Sequence, residues 1–416
     1  MSATVERYDV LIAGGGMVGA SLALALSSSA WRIALVDPSG LSTDNSPSFD
    51  ERATALSWSS RSFLGALGLW QTLEPGACPI RHIHVSEQGR FGRSRLHAEE
   101  LGVDALGHVL PNRLLGDALS QRLSACSNVC VEETGISTIL PSTGSDTVTV
   151  RDEEGRLLET RLLVVADGAR SRLRDALGIA SHTVRFPHSA LVANLEVQKA
   201  HGHWAYERFT PAGPMALLPL SSPDGGCHRM NMVLSLPQDS VDDYRNRDAA
   251  ELLKALRRRF GAHLGDFTAI GERAIYPLFQ VRARELIAER TVLVGNAAMA
   301  VHPVAGQGFN LALRGVADLA DRLLQVAEQG GDPGHVEPLQ AHARHQQRDM
   351  AWTGGWTRGL VEGFTLGLPG LGAARGAALM GLDRAGLLRR WFARQAMGRI
   401  AGLSPLSRGI GPVRED

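Results

Sequence analysis

Gly14-Gly15-Gly16-Met17-Val18-Gly19 follows the apolar run Tyr8–Ala13 and opens the helical run Ala20–Leu26. A strand that enters a helix through G-x-G-x-x-G can bind a pyrophosphate. Gly14 permits the tight turn, Gly16 admits close backbone approach, and Gly19 lets the helix pack closely, while the helix N-terminus supplies partial positive charge. In a chain with 46 glycines the glycines alone say little; the strand before them and the helix after them carry the reading. A second apolar run, Arg32–Asp37, ends in an acid about 20 residues on, where a carboxylate would bond ribose hydroxyls. The same logic returns far downstream. Gly295-Asn296-Ala297-Ala298-Met299-Ala300-Val301-His302-Pro303-Val304-Ala305-Gly306-Gln307-Gly308-Phe309-Asn310 follows the strand-like run Thr291–Val294 and precedes a helical run from Gly308 to Ala327. Two such loops can hold one long cofactor at both ends.

The elements that position these loops follow from the pattern of the chain. Strand and helix signals alternate to about Gly178, as in a Rossmann-like α/β layer. From Ser181 the pattern changes to strands separated by Pro, Gly and Asp turns: Ser189–Val197, Trp204–Thr210, Met215–Leu220 and Arg229–Leu236, with a helix expected over Ala249–Phe260 and a further strand over Arg273–Phe279. The chain therefore divides into a first part of a cofactor domain (1–180, with a sheet contribution near 80–110), an inserted antiparallel β-sheet for the substrate (181–272), a second part of the cofactor domain (273–332) and a helical C-terminal region (333–416).

Composition narrows the function classes. Lys plus Arg and Asp plus Glu balance at 43 each, so nothing favours nucleic acid as a partner. Cys78, Cys126, Cys130 and Cys227 show no C-x-x-C pairing and read as small core residues in a reducing compartment. His201 and His203 read as turn or surface residues, and no metal site is expected. The uncharged run Val10–Trp31 is broken by the glycine turn and reads as strand, turn and helix rather than a membrane helix or signal peptide, and a cytoplasmic protein is the expectation. The tail is the exception to the charge balance. Between Arg358 and Arg408 arginines outnumber Glu362 and Asp383, and Leu387, Leu388, Trp391 and Phe392 share a helical face with Arg389, Arg390 and Arg394 beyond it. Such a face suits the surface of the inner membrane, a partner protein, or the chain's own core.

Three further sites join the glycine loops. Leu162–Ala166 runs into Asp167-Gly168 and a short helix; Phe49-Asp50-Glu51-Arg52 supplies an Arg after the first βαβ unit; Pro111-Asn112-Arg113 supplies another before a helix. Together, and in this order, these motifs resemble the FAD-dependent aromatic hydroxylases of the p-hydroxybenzoate hydroxylase fold. Within them, Gly295-Asn296-Ala297-Ala298, the phrase Phe49–Ser57 and Tyr206–Leu220 are most similar to the ubiquinone-biosynthesis hydroxylases, in particular the branch that acts on 2-polyprenyl-6-methoxyphenol.

The resemblance implies roles for individual residues. Gly14, Gly16 and Gly19 would hold the FAD pyrophosphate and Asp37 the adenosine ribose. Arg52 and Arg113 would contact the flavin side, with Asp167 and Gly168 close by. Gly295 and Asn296 would meet the ribityl chain, and Gly306, Gln307, Gly308 and Asn310 would line the isoalloxazine ring. Position 296, usually Asp in the family, is Asn here, which still accepts a hydroxyl bond. The strand Cys227–Leu234 lacks the family's Val-Trp pair, so the substrate wall differs in detail. His302, Pro303 and Gln307 stand where catalytic groups would; His302 either handles a proton or fixes the loop by hydrogen bonding. The implied chemistry is ring hydroxylation of a polyprenylated phenol with O2 as co-substrate and NADPH or NADH as a visiting reductant, with a ubiquinone-biosynthesis protein complex as a further partner. Alternatives are another aromatic substrate for the same chemistry, or a flavin-binding assembly subunit.

Overall fold

The computed structural model describes residues 5–41, 52–140, 146–222, 225–301, 306–365, 380–381, 383–399 and 402–411. The apolar run after the N-terminus forms the strand Glu6–Ala13, which lies parallel to Leu157–Val165 on one side and Ile33–Val36 on the other. Val129–Glu132 and Thr291–Leu293 extend this parallel core on either side. Val10, Leu11 and Ile12 are all buried because both faces of the sheet are covered, the usual situation of a parallel sheet. One face packs on the helix Met17–Leu26 and the long helix Gln307–Glu328, through Leu22, Leu26, Leu313 and Val316. The opposite face buries Leu11, Leu163 and Leu293 against Leu311, Met299 and Met350. Small side chains along Met17–Leu26 let that helix be buried over most of its circumference.

The second sheet has Ser181–Val197 at its centre, paired antiparallel with Arg229–Pro237 and with Ala274–Ala283. Met215–Leu220 and Trp204–Phe209 continue it outward. Its strands alternate. Leu217, Met232 and Leu234 point into a core formed with Leu252, Leu256 and Phe260 of the helix Ala249–Phe260, while Ala216, Leu218 and Val233 point the other way, into a cavity. That helix begins at Asp248, whose side chain accepts the amides of Ala250 and Glu251.

One expectation needs correction here. Ala274–Ala283, placed by the sequence pattern in the return to the cofactor layer, instead adds a strand to the inserted sheet, and the return begins after it. Pairing with a strand some ninety residues earlier leaves no local signature. The inserted sheet is mainly antiparallel, and the contribution expected near 80–110 is present: His82–Glu87 joins it parallel to Trp204–Phe209, with Arg93–His97 beyond. A long connection can place either orientation side by side, whereas a hairpin cannot. Gly107–Pro111, also within 80–110, belongs to a separate three-stranded sheet with Ala53–Ser57 and Cys78–Ile80.

The C-terminal region contributes Val336–Thr365 and Gly386–Ala396. The second of these folds back onto the body, where Arg389 pairs with Glu100 at 2.7 Å and buried Ala393 and Met397 reach the cavity wall. Trp391 remains exposed and meets Trp352 edge-on. The side chains of Leu387, Leu388 and Phe392 lie outside the described residues. Among the described residues no helix is long and apolar enough to cross a membrane.

Candidate active site

The first glycine turn is fixed from three sides. The Gly14 amide donates to the Val36 carbonyl at 2.8 Å, and the Ala166 amide to the Ala13 carbonyl at 2.8 Å. Gly14 has φ +115°, and a Cβ there would stand 2.5 Å from the Ala166 oxygen; a Cβ on Gly19 would collide with the Gly14 oxygen. The helix that follows has Gly16 as its N-cap with no side-chain cap and no acid in its first turn, so its first N–H groups point outward unclaimed by a side chain. Asp37 lies against this turn. Its Oδ2 accepts the Gly15 amide at 2.7 Å and its Oδ1 the Ser39 amide at 2.9 Å, which orients the carboxylate and leaves acceptor capacity on each oxygen.

The second loop converges on the same place. Gly306, in the left-handed region at φ +60°, caps the long helix without a side-chain bond, and no acid occupies that helix's first turn either. Two helix N-termini are thereby offered to one ligand. Gly295, also at φ +60°, packs on Val18, and exposed Asn296 follows it into the cavity wall. Buried Arg174, beyond the Asp167-Gly168 turn, donates to the Ala297 carbonyl at 3.2 Å and so ties that turn to the Gly295 loop. Asp167 accepts the Leu173 amide at 3.3 Å. Arg52 lies in the cavity wall with its guanidinium 4.6 Å from the Tyr276 ring centre. His302 and Pro303 lie outside the described residues.

Two sequence-selected residues are placed otherwise than expected. Arg113 is exposed and does not reach the cavity; its neighbour Asn112 is the buried residue in the wall, where it accepts the Thr54 hydroxyl at 2.6 Å. Asn310 borders the cavity, but its side chain is fully used by the protein. Its amide donates to the carbonyls of Ala55 and Gly306, and its oxygen accepts the Ser57 amide and the Ser60 hydroxyl. No donor or acceptor remains for a cofactor, so Asn310 locks the long helix to the Ala53–Ser57 strand. Asn310→Ala should cost about 2 kcal/mol by orphaning buried partners, read as a lower urea midpoint at unchanged slope; an unchanged midpoint would refute this.

A cavity of about 720 Å³ runs from these loops to the inserted sheet. Its far wall is apolar, with Ile83, Val85, Leu96, Leu218 and Phe279, and one carboxylate, Glu207, stands within it. Burial alone pushes the Glu207 carboxyl up to about 7. The sequence pattern contained a signal for this residue: in Trp204–Phe209 strict alternation puts Glu207 on the same face as Ala205 and Phe209. His201, expected at a turn or surface, is buried. Its Nδ1 accepts the His203 amide at 3.0 Å and its Nε2 bonds the Leu220 carbonyl at 3.2 Å. Cys78, His201 and His203 cluster closely enough to suggest a metal, but with both His201 nitrogens committed only two ligands remain, short of a zinc set.

Comparison with known proteins decides the family. Residues 7–350 match the FAD binding domain family. The chain is 33% identical to the ubiquinone hydroxylase UbiL of Rhodospirillum rubrum, over 97% of this chain and 93% of that protein. The chain belongs to the FAD-dependent ubiquinone hydroxylase family. It is also 30% identical to the 3-demethoxyubiquinol 3-hydroxylase of Escherichia coli, over 95% of this chain and all of that protein. The p-nitrophenol 4-monooxygenase of Pseudomonas putida shares the fold, with a TM-score of 0.77 at 19% identity over 94% of this chain and 99% of that one. As a member of this family the chain is an FAD-dependent monooxygenase. Its residues fit FAD: the glycine positions leave backbone space that any Cβ would fill, and two uncapped helix N-termini suit a pyrophosphate and the electron-rich edge of a reduced flavin.

Proposed function

We propose that this hydroxylase acts on the aromatic ring of a polyprenylated phenol in ubiquinone biosynthesis, with 2-polyprenyl-6-methoxyphenol as its substrate. The observation that supports this best is the shape of the cavity, which begins at the flavin loops and ends on an apolar sheet face of Ile83, Val85, Leu218 and Val233. A ring bearing a hydrocarbon chain matches such a wall through burial of apolar surface.

Bound FAD supplies the reaction of dioxygen with an electron source, which side chains cannot provide. The chain's part is placement and exclusion of water. Gly14, Gly16 and Gly19 would receive the pyrophosphate, Asp37 the ribose, and Gly295 and Asn296 the ribityl chain. The first amides of the Gln307–Glu328 helix, opened by Gly306 and Gly308, would face the flavin ring and favour negative charge there. Arg52 and the Asp167-Gly168 turn would flank the ring and Gln307 would line it, while His302 and Pro303 are the residues to which the family resemblance assigns catalytic roles. A polyprenylated substrate resides in lipid, so the same reading places the enzyme at the cytoplasmic face of the inner membrane, with Arg390, Trp391 and Arg394 exposed on the last long helix.

Deleting the gene in its aerobically grown host, where no second hydroxylase serves the step, tests the substrate. Mass spectrometry should show loss of ubiquinone and accumulation of a prenylated methoxyphenol one hydroxyl short. Accumulation of demethoxyubiquinol would assign the ring position named for the Escherichia coli relative instead, and unchanged ubiquinone would overturn the proposal.

A further inference from the structure

Glu207 is a carboxylate with nothing among the described residues to hold it. Its strand turns Ala205, Glu207 and Phe209 to the cavity face and Trp204 and Arg208 to the other, while Tyr206 borders the cavity with its ring packed on the far side. There the Tyr206 ring meets Phe260 at 5.2 Å, and Arg208 bonds the Ser86 hydroxyl and the Arg259 carbonyl. Opposite Glu207 stand Val85 on one neighbouring strand and Ala216 on the other, with Ser94 and Val233 next beyond them. None of these is charged. Among the described residues the side chain makes no hydrogen bond or ion pair, and desolvation is the only influence on its ionisation. The other charged side chain in the cavity wall is Arg52, and Glu87, opposite Phe209, is the next acid along the same sheet face. His302 is the remaining titratable group of the flavin loop.

An unpaired carboxyl in an apolar cavity is costly, and nothing in the packing requires it. Valine or leucine would fill the place and complete the wall. The position is therefore explained by a ligand atom that the cavity receives.

We propose that Glu207 is the base that accepts the proton of the substrate's ring hydroxyl. This rests on the phenol reading above. As an oxygen atom is delivered to the ring, the substrate O–H bond breaks and an O–H bond forms on Glu207; the electron pair left on the phenol oxygen flows into the ring and raises electron density at the carbon that is attacked. The proton returns to product or solvent when the product leaves, so no further reactant is needed. Burial brings the Glu207 carboxyl to about 7, near the working pH, where a general base combines availability with driving force. The sign is fixed: Glu207 is neutral below about 7 and cannot accept a proton, and is ionised above it and can.

The test uses the FAD-loaded enzyme and its Glu207→Gln and Glu207→Asp variants. Each is titrated with a 2-methoxyphenol carrying a short prenyl chain and with the same compound methylated on its hydroxyl, followed by perturbation of the flavin spectrum. The wild-type protein should prefer the phenol to the ether by about tenfold above pH 7, through a charge-assisted hydrogen bond, and lose that preference as the pH falls through 7. In Glu207→Gln the preference should be small and flat with pH, and single-turnover hydroxylation about 100-fold slower; Glu207→Asp should restore the pH inflection. A Glu207→Gln enzyme that keeps the inflection and the rate would overturn this proposal alone. Failure of the wild-type protein to bind either compound would overturn the phenol reading and this proposal with it.

Discussion

Gly19→Val yields a folded protein that purifies without its flavin. A side chain at position 19 meets the carbonyl oxygen of Gly14, and Gly14 cannot move away because its own α-carbon faces the Ala166 carbonyl, where an added Cβ would lie at 2.5 Å. The Gly14 amide is meanwhile bound to Val36 and the Gly15 amide to Asp37. The turn is thus caught between two strands and a helix, and the side chain is accommodated only by lifting the turn off the helix N-terminus. That movement removes the amides and the dipole from the pyrophosphate together. A loss of about 4 kcal/mol in FAD binding is expected, roughly a thousandfold in affinity. The ratio of flavin to protein absorbance after purification, and a fluorescence titration with added FAD, measure it. Stoichiometric flavin in the purified variant would show that the turn does not hold the cofactor.

The glycine turns were legible in the sequence because their meaning is local: a strand, a backbone conformation and a helix start lie within a dozen residues. The position of Asp37 against the first turn follows in the same way, at one βαβ unit's remove. What was not legible depends on contacts distant in the chain. Arg113 looked the more chemical of two adjacent residues, but the phase of the helix Asn112–Ser124 turns Asn112 inward and Arg113 out. Asn310 matched a cofactor motif, yet Ala55, Ser57 and Ser60, some 250 residues earlier, take three of its four hydrogen bonds and the Gly306 carbonyl takes the fourth. Ala274–Ala283 reads as a strand in either location, and only its pairing with Ser181–Val197 assigns it to the inserted sheet. Glu207 shows the limit of periodicity. Alternation says that it shares a face with Ala205 and Phe209 but not whether that face meets a helix or a cavity; the helix Ala249–Phe260, packed on the other side, settles that.

Asp349→Ala should destabilise the protein by about 3–5 kcal/mol, the range for removing one partner of a buried ion pair. Arg314 of the long cofactor helix donates from Nε and Nη2 to the two carboxylate oxygens of Asp349, at 2.8 and 3.1 Å, and both residues are buried. Thr353, one turn beyond Asp349, donates to the same carboxylate at 3.3 Å. Alanine at 349 leaves the guanidinium without its counter-charge between the Gln307–Glu328 and Val336–Thr365 helices, whereas removing both charges with Arg314→Met and Asp349→Leu replaces the pair by packed apolar groups and should recover most of the loss. Urea unfolding of the two single variants and the double variant gives the coupling directly; a single-variant cost below about 1 kcal/mol would mean that water or a neighbouring group compensates the arginine. The same three proteins separate stability from cofactor placement. Asn310 already anchors the first turn of the long helix to the Ala53–Ser57 strand, four residues before Arg314. The double variant should therefore retain its FAD at wild-type stoichiometry, and loss of flavin from a stably folded double variant would show that the ion pair, and not only Asn310, sets the position of the helix N-terminus against the cofactor.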